Sequence, residues 1–532
     1  MKWLPRMAWT VVVAAALWMI FGNTFLPMND APSHIANAVI AHKLRAGDSF
    51  FAAHYHFELI PVPYWATALL LVAGLPIVSP LLLWKLLISL YAVLLPLSCL
   101  VLARAASAPE LHAEKSLPDA APLLPLLTLT VFHWGYWMGE SNYLLGQPVA
   151  LLALALLLRS ERLRSGSFFG FVLLAALSYV CHIYALTMLL IGATAWALVA
   201  LLAHRLPELS FRKLRAPHVI GLLWIYALFA VAAYFVLFHH GTGANRGSLG
   251  FDLSPRRLVH MLIDPFDSPA PPPRWVLGLL YLAVIALFGW AHRATLQTLF
   301  QQRQTEKESD PLSRLHQLVM LLNPALLVPG LTLLFAAYLG PVAIFAPDGT
   351  QKEGEIAIRF VLGGFLLLAM SLRWPKLTQL RSPRGTLLLV MTLFSVVQLV
   401  SIHQLHRSID AKLTRIDRTL LAQIPTHSRL LPLLDLPTAE WTDYLIHRVG
   451  NYAVLRDSYS PHIFAVRGQH PLRHLPWGDQ REVANLKVTD DEWRFYDYVL
   501  LQHGDRPLPP ALAAHLDPIA REDDFLLLRV RK

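Results

Sequence analysis

The chain of 532 residues is short of two things that soluble proteins of its length have in quantity. Charged side chains make up 15% of it, against about 25% in soluble domains. Cysteine occurs twice. The low charge excludes the three or four soluble domains that the length alone would suggest. Cys99 and Cys181 both stand in apolar runs, which excludes a disulfide framework. Disorder and collagen are excluded as well, because hydrophobic residues reach 55%. There is no internal repeat. Gly241-Thr242-Gly243 does not follow a strand, so it does not read as a nucleotide fingerprint.

What is present is a succession of long apolar runs, at 7–27, 81–103, 121–138, 143–158, 167–182, 184–203, 218–238, 275–291, 317–340, 356–372 and 385–402. A spanning helix needs about 20 apolar residues, so eleven spans are predicted. A twelfth run, 62–78, is interrupted by Pro and Gly around Pro61, Pro63, Gly74 and Pro76 and reads as an interfacial or re-entrant segment. The first run has the basic start of a signal peptide. It continues through Trp18 to Phe25 without a clear cleavage site, and is read as an uncleaved helix. The expected fold class is mainly α, a polytopic helical membrane protein with about eleven transmembrane helices and a small C-terminal α/β domain.

The net charge of +10 is unevenly placed. From residue 403 onward there are 17 Lys+Arg and 17 Asp+Glu, leaving 28 and 18 in residues 1–402. The excess therefore sits in short loops between apolar runs, where it signals topology; nucleic-acid binding is rejected. With eleven spans and a cytoplasmic N-terminus, 19 basic residues fall inside and 7 outside. Counting 62–78 as a span reverses most of that bias. The C-terminus is thus expected outside the cell. Residues 1–402 are expected to form the membrane domain, with 28–80 as a first outer loop carrying interfacial helices. An amphipathic helix is predicted through Ile35, Val39, Ile40 and Leu44. Residues 403–532 are the soluble extracytoplasmic unit. A helix at about 404–422 opens it, followed by short apolar runs at Leu430–Leu434, Ile463–Val466, Tyr498–Leu501 and Phe525–Val530.

Ionisable groups at membrane depth are costly and mark candidate sites. Asp30 and His34 lie four apart, so on a helix they share one face. A carboxylate there suits a general base on an acceptor hydroxyl, with His34 tuning it. Half of a metal site is an alternative, and so is a plain helix cap with Pro32 in the first turn. Glu140 follows His133-Trp134-Gly135-Tyr136-Trp137-Met138-Gly139 at the end of the third run. It reads either as a polar substrate contact or as a solvated acid in an aromatic belt. His54, His56 and Glu58 alternate and would share one strand face, as a substrate or metal contact or as a solvated loop. His182 ends the fifth run with the same two readings. Lys85 and Arg359 stand in or at the mouth of apolar runs. Arg359 is set either to pair with Glu355 or to clamp a phosphate bidentately.

These features together resemble the GT-C superfamily of polytopic glycosyltransferases, which use polyprenyl-phosphate-linked sugars. The likeness is carried by Asp30 directly after the first run, by Pro61-Val62-Pro63-Tyr64-Trp65 leading into a membrane-surface helix, by Glu140 in the next outer loop, and by Arg359 after the Pro341–Gly354 loop. The segment Gly139–Pro148 also looks like uncharacterised bacterial members. The resemblance covers about three-quarters of the chain. It implies Asp30 as base, Glu140 as supporting acid and phosphate binding by Arg359; Lys85, His34, His56 and His182 stand beside these as further candidate substrate contacts. It also implies a bacterial inner (cytoplasmic) membrane, a polyprenyl-phosphate sugar as donor, and a glycan, lipid or protein acceptor. Asn29 and Ala31 flank Asp30 where many families carry a second acid, and the second acid is Glu rather than the commoner Asp. No metal ligand is assigned, and use of a divalent metal stays open. A transporter or lipid flippase and a non-catalytic assembly protein are the other classes weighed. A transporter calls for polar groups near mid-membrane and repeated halves; Asn323-Pro324 is the feature that favours it.

Overall fold

A computed structural model describes residues 3–58, 63–106, 121–204, 214–238, 248–269, 271–293, 296–297, 321–345, 351–354, 356–373, 382–433, 450–463, 472–475, 494–502 and 513–532. Pro61, Val62, Gly241–Gly243 and Glu355 lie outside them, as do the start of the 317–340 run and the end of Ile463–Val466.

Helix follows the apolar runs closely. In chain order the first part holds α1 (Leu4–Phe21), α2 (Ala31–Arg45), α3 (Ser49–His54), β1 (Tyr55–Phe57), α4 (Ala66–Gly74) and α5 (Pro80–Ala106). Next come α6 (Leu124–Leu129), α7 (Trp134–Met138), α8 (Ser141–Arg159), α9 (Gly166–Cys181), α10 (Ile183–His204) and α11 (Ala216–Phe238). They are followed by β2 (Ser248–Gly250), α12 (Pro255–Ile263), α13 (Arg274–Ala291), α14 (Pro324–Leu339), β3 (Ala343–Phe345), β4 (Gln351–Gly354), α15 (Ile358–Ser371) and α16 (Pro383–Ile416). Seven helices among the described residues are long and apolar enough to cross a membrane, and α9, α14 and α15 are shorter apolar helices. The protein is a polytopic helical membrane protein with a small C-terminal sheet unit. Helix α8 is the packed centre, its apolar window 89% buried, whereas α13 is at the edge with 11% buried. The exposed Leu279, Leu282 and Ile285 on α13 are what a lipid-facing helix presents.

Three expectations are corrected. The 121–138 run is not one helix. It breaks at a 3-10 turn, Thr130–Phe132, and at His133, whose backbone is extended. Pro122 and Pro125 lack backbone donors, and His133 turns its own Nδ1 to accept from the Gly135 N–H. Residues 121–137 are all buried, and irregular backbone at membrane depth is tolerated only inside protein. The helix expected at about 404–422 is not separate: α16 runs unbroken through the 402/403 boundary and ends in a π turn, Asp417–Leu421. Nor is α2 a half-solvated surface helix. Every residue from Ala31 to Ala41 except His34 is buried.

The cover on α2 comes from the C-terminal part. There β5 (Leu430–Leu433), β7 (Tyr498–Gln502), β8 (Leu516–Glu522) and β9 (Phe525–Val530) form a four-stranded sheet in the order β5-β7-β9-β8. The pair β5–β7 is parallel and the others antiparallel. Burial pushes the Asp497 carboxyl up, but hydrogen bonds from Arg429 and Lys532 overcome it and hold it down at about 2. Helix α17 (Gly450–Arg456) lies on α2, and β6 (Leu472–His474) pairs antiparallel with β1 of the first loop, Tyr55 opposite His474. Lys43 reaches Asp457 at 3.0 Å. The Asp410 carboxylate, on α16, accepts from the N–H groups of Thr24 and Phe25 at 2.8 and 2.7 Å. Those two bonds fix the turn that leads from α1 to Asp30.

The closest approach is at Gly450, where a Cβ would stand 2.4 Å from the carbonyl carbon and oxygen of Pro32. Backbone cannot yield as a side chain does. Gly450→Ala is therefore expected to lower stability by about 1–3 kcal/mol, read as a lower Tm of the purified protein and faster proteolysis of the tail. An unchanged Tm would show that α17 is not seated on α2.

Candidate active site

Three chain segments that are far apart in sequence meet where three helices begin. Asp30 occupies the N-cap position of α2, Glu140 that of α8, and Arg359 the first turn of α15. Helix N-termini carry partial positive charge, so the place favours anions and is hard on an unpaired cation. Arg359 is relieved by Glu140, whose Oε1 accepts from the guanidinium at 2.5 Å, the two side chains only 9% and 12% exposed. The guanidinium also lies over the Tyr184 ring, 4.5 Å from its centroid, and 5.6 Å from that of Trp134.

Asp30 is joined to this pair through backbone and charge. Its N–H donates to the Met138 carbonyl at 2.9 Å, and that of Asn29 to the Trp137 carbonyl at 2.8 Å. The chain reverses between these bonds and Glu140 at Gly139, whose φ is +80°. A Cβ at Gly139 would fall 2.8 Å from the Asp30 nitrogen, so only glycine permits the approach. The Asp30 side chain makes no cap hydrogen bond to α2, which removes the plain-cap reading. Burial raises its pKa well above the usual carboxylate range, Glu140 raises it further, and Arg359 opposes them. His34, half-buried, sets its ring nearly parallel to that of Trp84, centroids 6.2 Å apart. Burial lowers it to about 4, so it is neutral at pH 7 and adds no positive charge beside Asp30.

His182 belongs to the same neighbourhood. It is buried, edge-on to Tyr64 at 4.4 Å and near Tyr143 and Tyr184 at 5.6 and 5.2 Å. Tyr64 has φ +84°, a strained value for a residue with a side chain, and Asn142 holds it by donating to its carbonyl at 2.9 Å. The other sequence candidates stand apart. Lys85 donates its ammonium to the Asn23 carbonyl and lines a small crevice with Trp84, Leu413 and Asn451. His56 is exposed on β1 opposite Arg473. His54 ends α3 and does not share a strand face with His56, and Glu58 pairs with Arg473 at 3.4 Å. The expected partner Glu355 is outside the described residues; the acid on Arg359 is Glu140. Among the described residues no group of three or more His, Cys, Asp and Glu converges as metal ligands would.

Sequence reasoning missed the buried relay behind Arg359. His133 accepts at Nδ1 from a backbone N–H, which leaves Nε2 protonated and 3.3 Å from the Tyr91 hydroxyl. Tyr91 donates to Gln147 at 2.8 Å, Gln147 to Tyr143 at 2.7 Å, and Tyr143 to the Arg359 carbonyl. Each donor has one acceptor in a consistent direction, so the relay fixes the first turn of α15 against α5 and α8. Tyr184 was missed as well; its only signal is an aromatic two residues after His182.

No family model and no curated protein matches the chain. Among solved structures it is similar to ArnT from Cupriavidus metallidurans. The form bound to undecaprenyl phosphate has a TM-score of 0.48 and 11% identity, over 99% of this chain and 97% of that one. The apo form has 0.45 and 13%, over 98% and 97%. At that level of likeness, what the protein does has to be read from its own residues.

Two outcomes test the geometry. Glu140→Gln leaves the Arg359 charge buried without its carboxylate and is expected to cost about 3–5 kcal/mol; adding Arg359→Met should recover much of that loss in a chemical-denaturation series. Gly139→Ala is expected to cost about 1–3 kcal/mol, and a neutral effect on Tm would contradict the close approach to Asp30.

Proposed function

We propose that the protein is an integral membrane glycosyltransferase that moves a sugar from a polyprenyl-phosphate donor to an acceptor hydroxyl. The observation that carries the reading is the meeting of the buried Asp30 carboxylate with the Glu140–Arg359 pair at three helix N-termini. A phosphoryl leaving group needs a bidentate cation and positive dipole ends. An acceptor hydroxyl needs a carboxylate whose raised pKa lets it take a proton. Arg359 and Asp30 meet those two needs at one place.

In this reading the donor's phosphate competes with Glu140 for the Arg359 guanidinium. The acceptor oxygen attacks the anomeric carbon, forming the new C–O bond. The bond from that carbon to the phosphate oxygen breaks, and its electron pair leaves with the polyprenyl phosphate, held by Arg359. The acceptor proton passes to Asp30. Charge at the sugar is oxocarbenium-like in the transition state, and Glu140, released from Arg359, faces it. His182, Tyr64, Trp134 and Tyr184 supply rings on which a sugar face can stack. The bias of 19 basic residues against 7 favours an extracytoplasmic site with the C-terminal sheet on the same side, where it would help to hold the acceptor.

Asp30→Asn is expected to lower transfer by about 10²–10⁴-fold in proteoliposomes supplied with labelled polyprenyl-phosphate sugar. Unimpaired transfer would remove Asp30 as the base. Because Asp30 must lose its proton to act, and burial raises its pKa, the wild-type rate should climb with pH through a value above the usual carboxylate range. A rate that is flat from pH 5 to 8 contradicts that role.

A further inference from the structure

A cavity lies beside α15, lined by Ala357, Ile358 and Val361 rather than by Arg359. It holds about 450 Å³, within the roughly 300–1,000 Å³ of small-molecule sites. Ala357, Ile358 and Val361 of α15, with Ala337 and Met261, form an apolar floor. His260, Asp264, Asp267 and Arg274 form the rim. Arg257 also lines it, but its guanidinium is spent on the carbonyls of Asp252, Ala337 and Gly340, the last two at the end of α14. It shapes the wall and is not offered to a ligand.

The setting of the cavity is amphipathic. Helix α12 turns Arg257 and Met261 inward and leaves Leu258, Val259 and Leu262 half or more exposed. Leu249, Phe251 and Leu253 before it are equally exposed, and Trp275 and Leu279 continue the apolar face onto the lipid-facing edge of α13. An apolar face continuous with a spanning helix belongs at the hydrocarbon boundary, which puts the rim at headgroup depth. The rim carries both signs. Arg274 opens α13, where the helix dipole adds to its positive charge, and Asp264 and Asp267 line the same cavity. A purely anionic headgroup would bring its phosphate against two carboxylates. A purely cationic amphiphile would bring its ammonium against Arg274.

We propose that this cavity binds the headgroup of a zwitterionic phospholipid, its ammonium on Asp264 and Asp267 and its phosphate on Arg274. Burial pushes Asp267 up to about 6, so an ammonium beside it relieves an existing cost. The lipid tails follow Leu258 and Leu262 into the bilayer. The site shares α15 with the candidate active site but none of Asp30, Glu140 or Arg359, so either assignment can fail without the other.

The test uses the full-length protein in detergent, titrated with dioctanoyl phosphatidylethanolamine, dioctanoyl phosphatidylglycerol or free phosphoethanolamine and read by native mass spectrometry. Phosphatidylethanolamine is expected to bind about tenfold more tightly than phosphatidylglycerol. Asp267→Asn should remove that preference, and Arg274→Gln, at an exposed position, should weaken both lipids. Equal binding of the two lipids to the parent, or an undiminished preference in Asp267→Asn, would overturn the zwitterion. Free phosphoethanolamine binding as tightly as the lipid would overturn the bilayer as its source.

Discussion

A guanidinium at the start of a helix, buried among apolar helices, has to be neutralised, and in this protein Glu140 does it. The pair of Glu140 with Arg359 organises what surrounds it. Its 2.5 Å contact ties α8, the packed centre, to α15, and the rings of Tyr184 and Trp134 close over the cation. Behind it, the relay from His133 to the Arg359 carbonyl uses buried hydroxyl and amide groups that would otherwise be costly at that depth. A buried pair is weak evidence of stability, since desolvation offsets attraction. It is better evidence that this place holds charge for a purpose.

The irregular segments make sense in the same terms. Between α1 and α2, and again on either side of α7, at Thr130–His133 and at Gly139–Glu140, the backbone leaves α-helical geometry inside the protein. The two segments satisfy one another, with the N–H groups of Asn29 and Asp30 on the carbonyls of Trp137 and Met138. Gly139 allows the approach. A charged site requires helix ends rather than helix middles, because only ends offer unpaired backbone groups and a net dipole. The reversal at Gly139, between the end of α7 and the start of α8, supplies two such ends next to Asp30.

The C-terminal sheet unit is part of this arrangement rather than an appendage. Through α17, β6 and Asp410 it grips α2, the first loop and the turn after α1. The position of Asp30 is thus determined from both sides, by the membrane helices and by the tail. Beside α15 the chain also presents a cavity rimmed by His260, Asp264, Asp267 and Arg274. One helix therefore carries a guanidinium inward and an apolar floor outward, as its turn of about 100° per residue allows.

The apolar runs alone determined the helices, because a span needs only length and hydrophobicity, and those are local properties. Ten of the eleven runs are helical where described; the exception, 121–138, carries prolines, glycines and a histidine whose effect depends on what buries them. Asp30, Glu140 and Arg359 were legible as ionisable groups beside apolar runs, for which lipid offers no easy place. Their meeting was not legible. It depends on which helix ends pack together, a matter of contacts between residues more than 100 positions apart. His34, neutral against Trp84, and Lys85, turned to a backbone carbonyl, show the same limit. A side chain's chemistry is written in the sequence, but its partner and its proton affinity are set by burial, which only the tertiary packing decides.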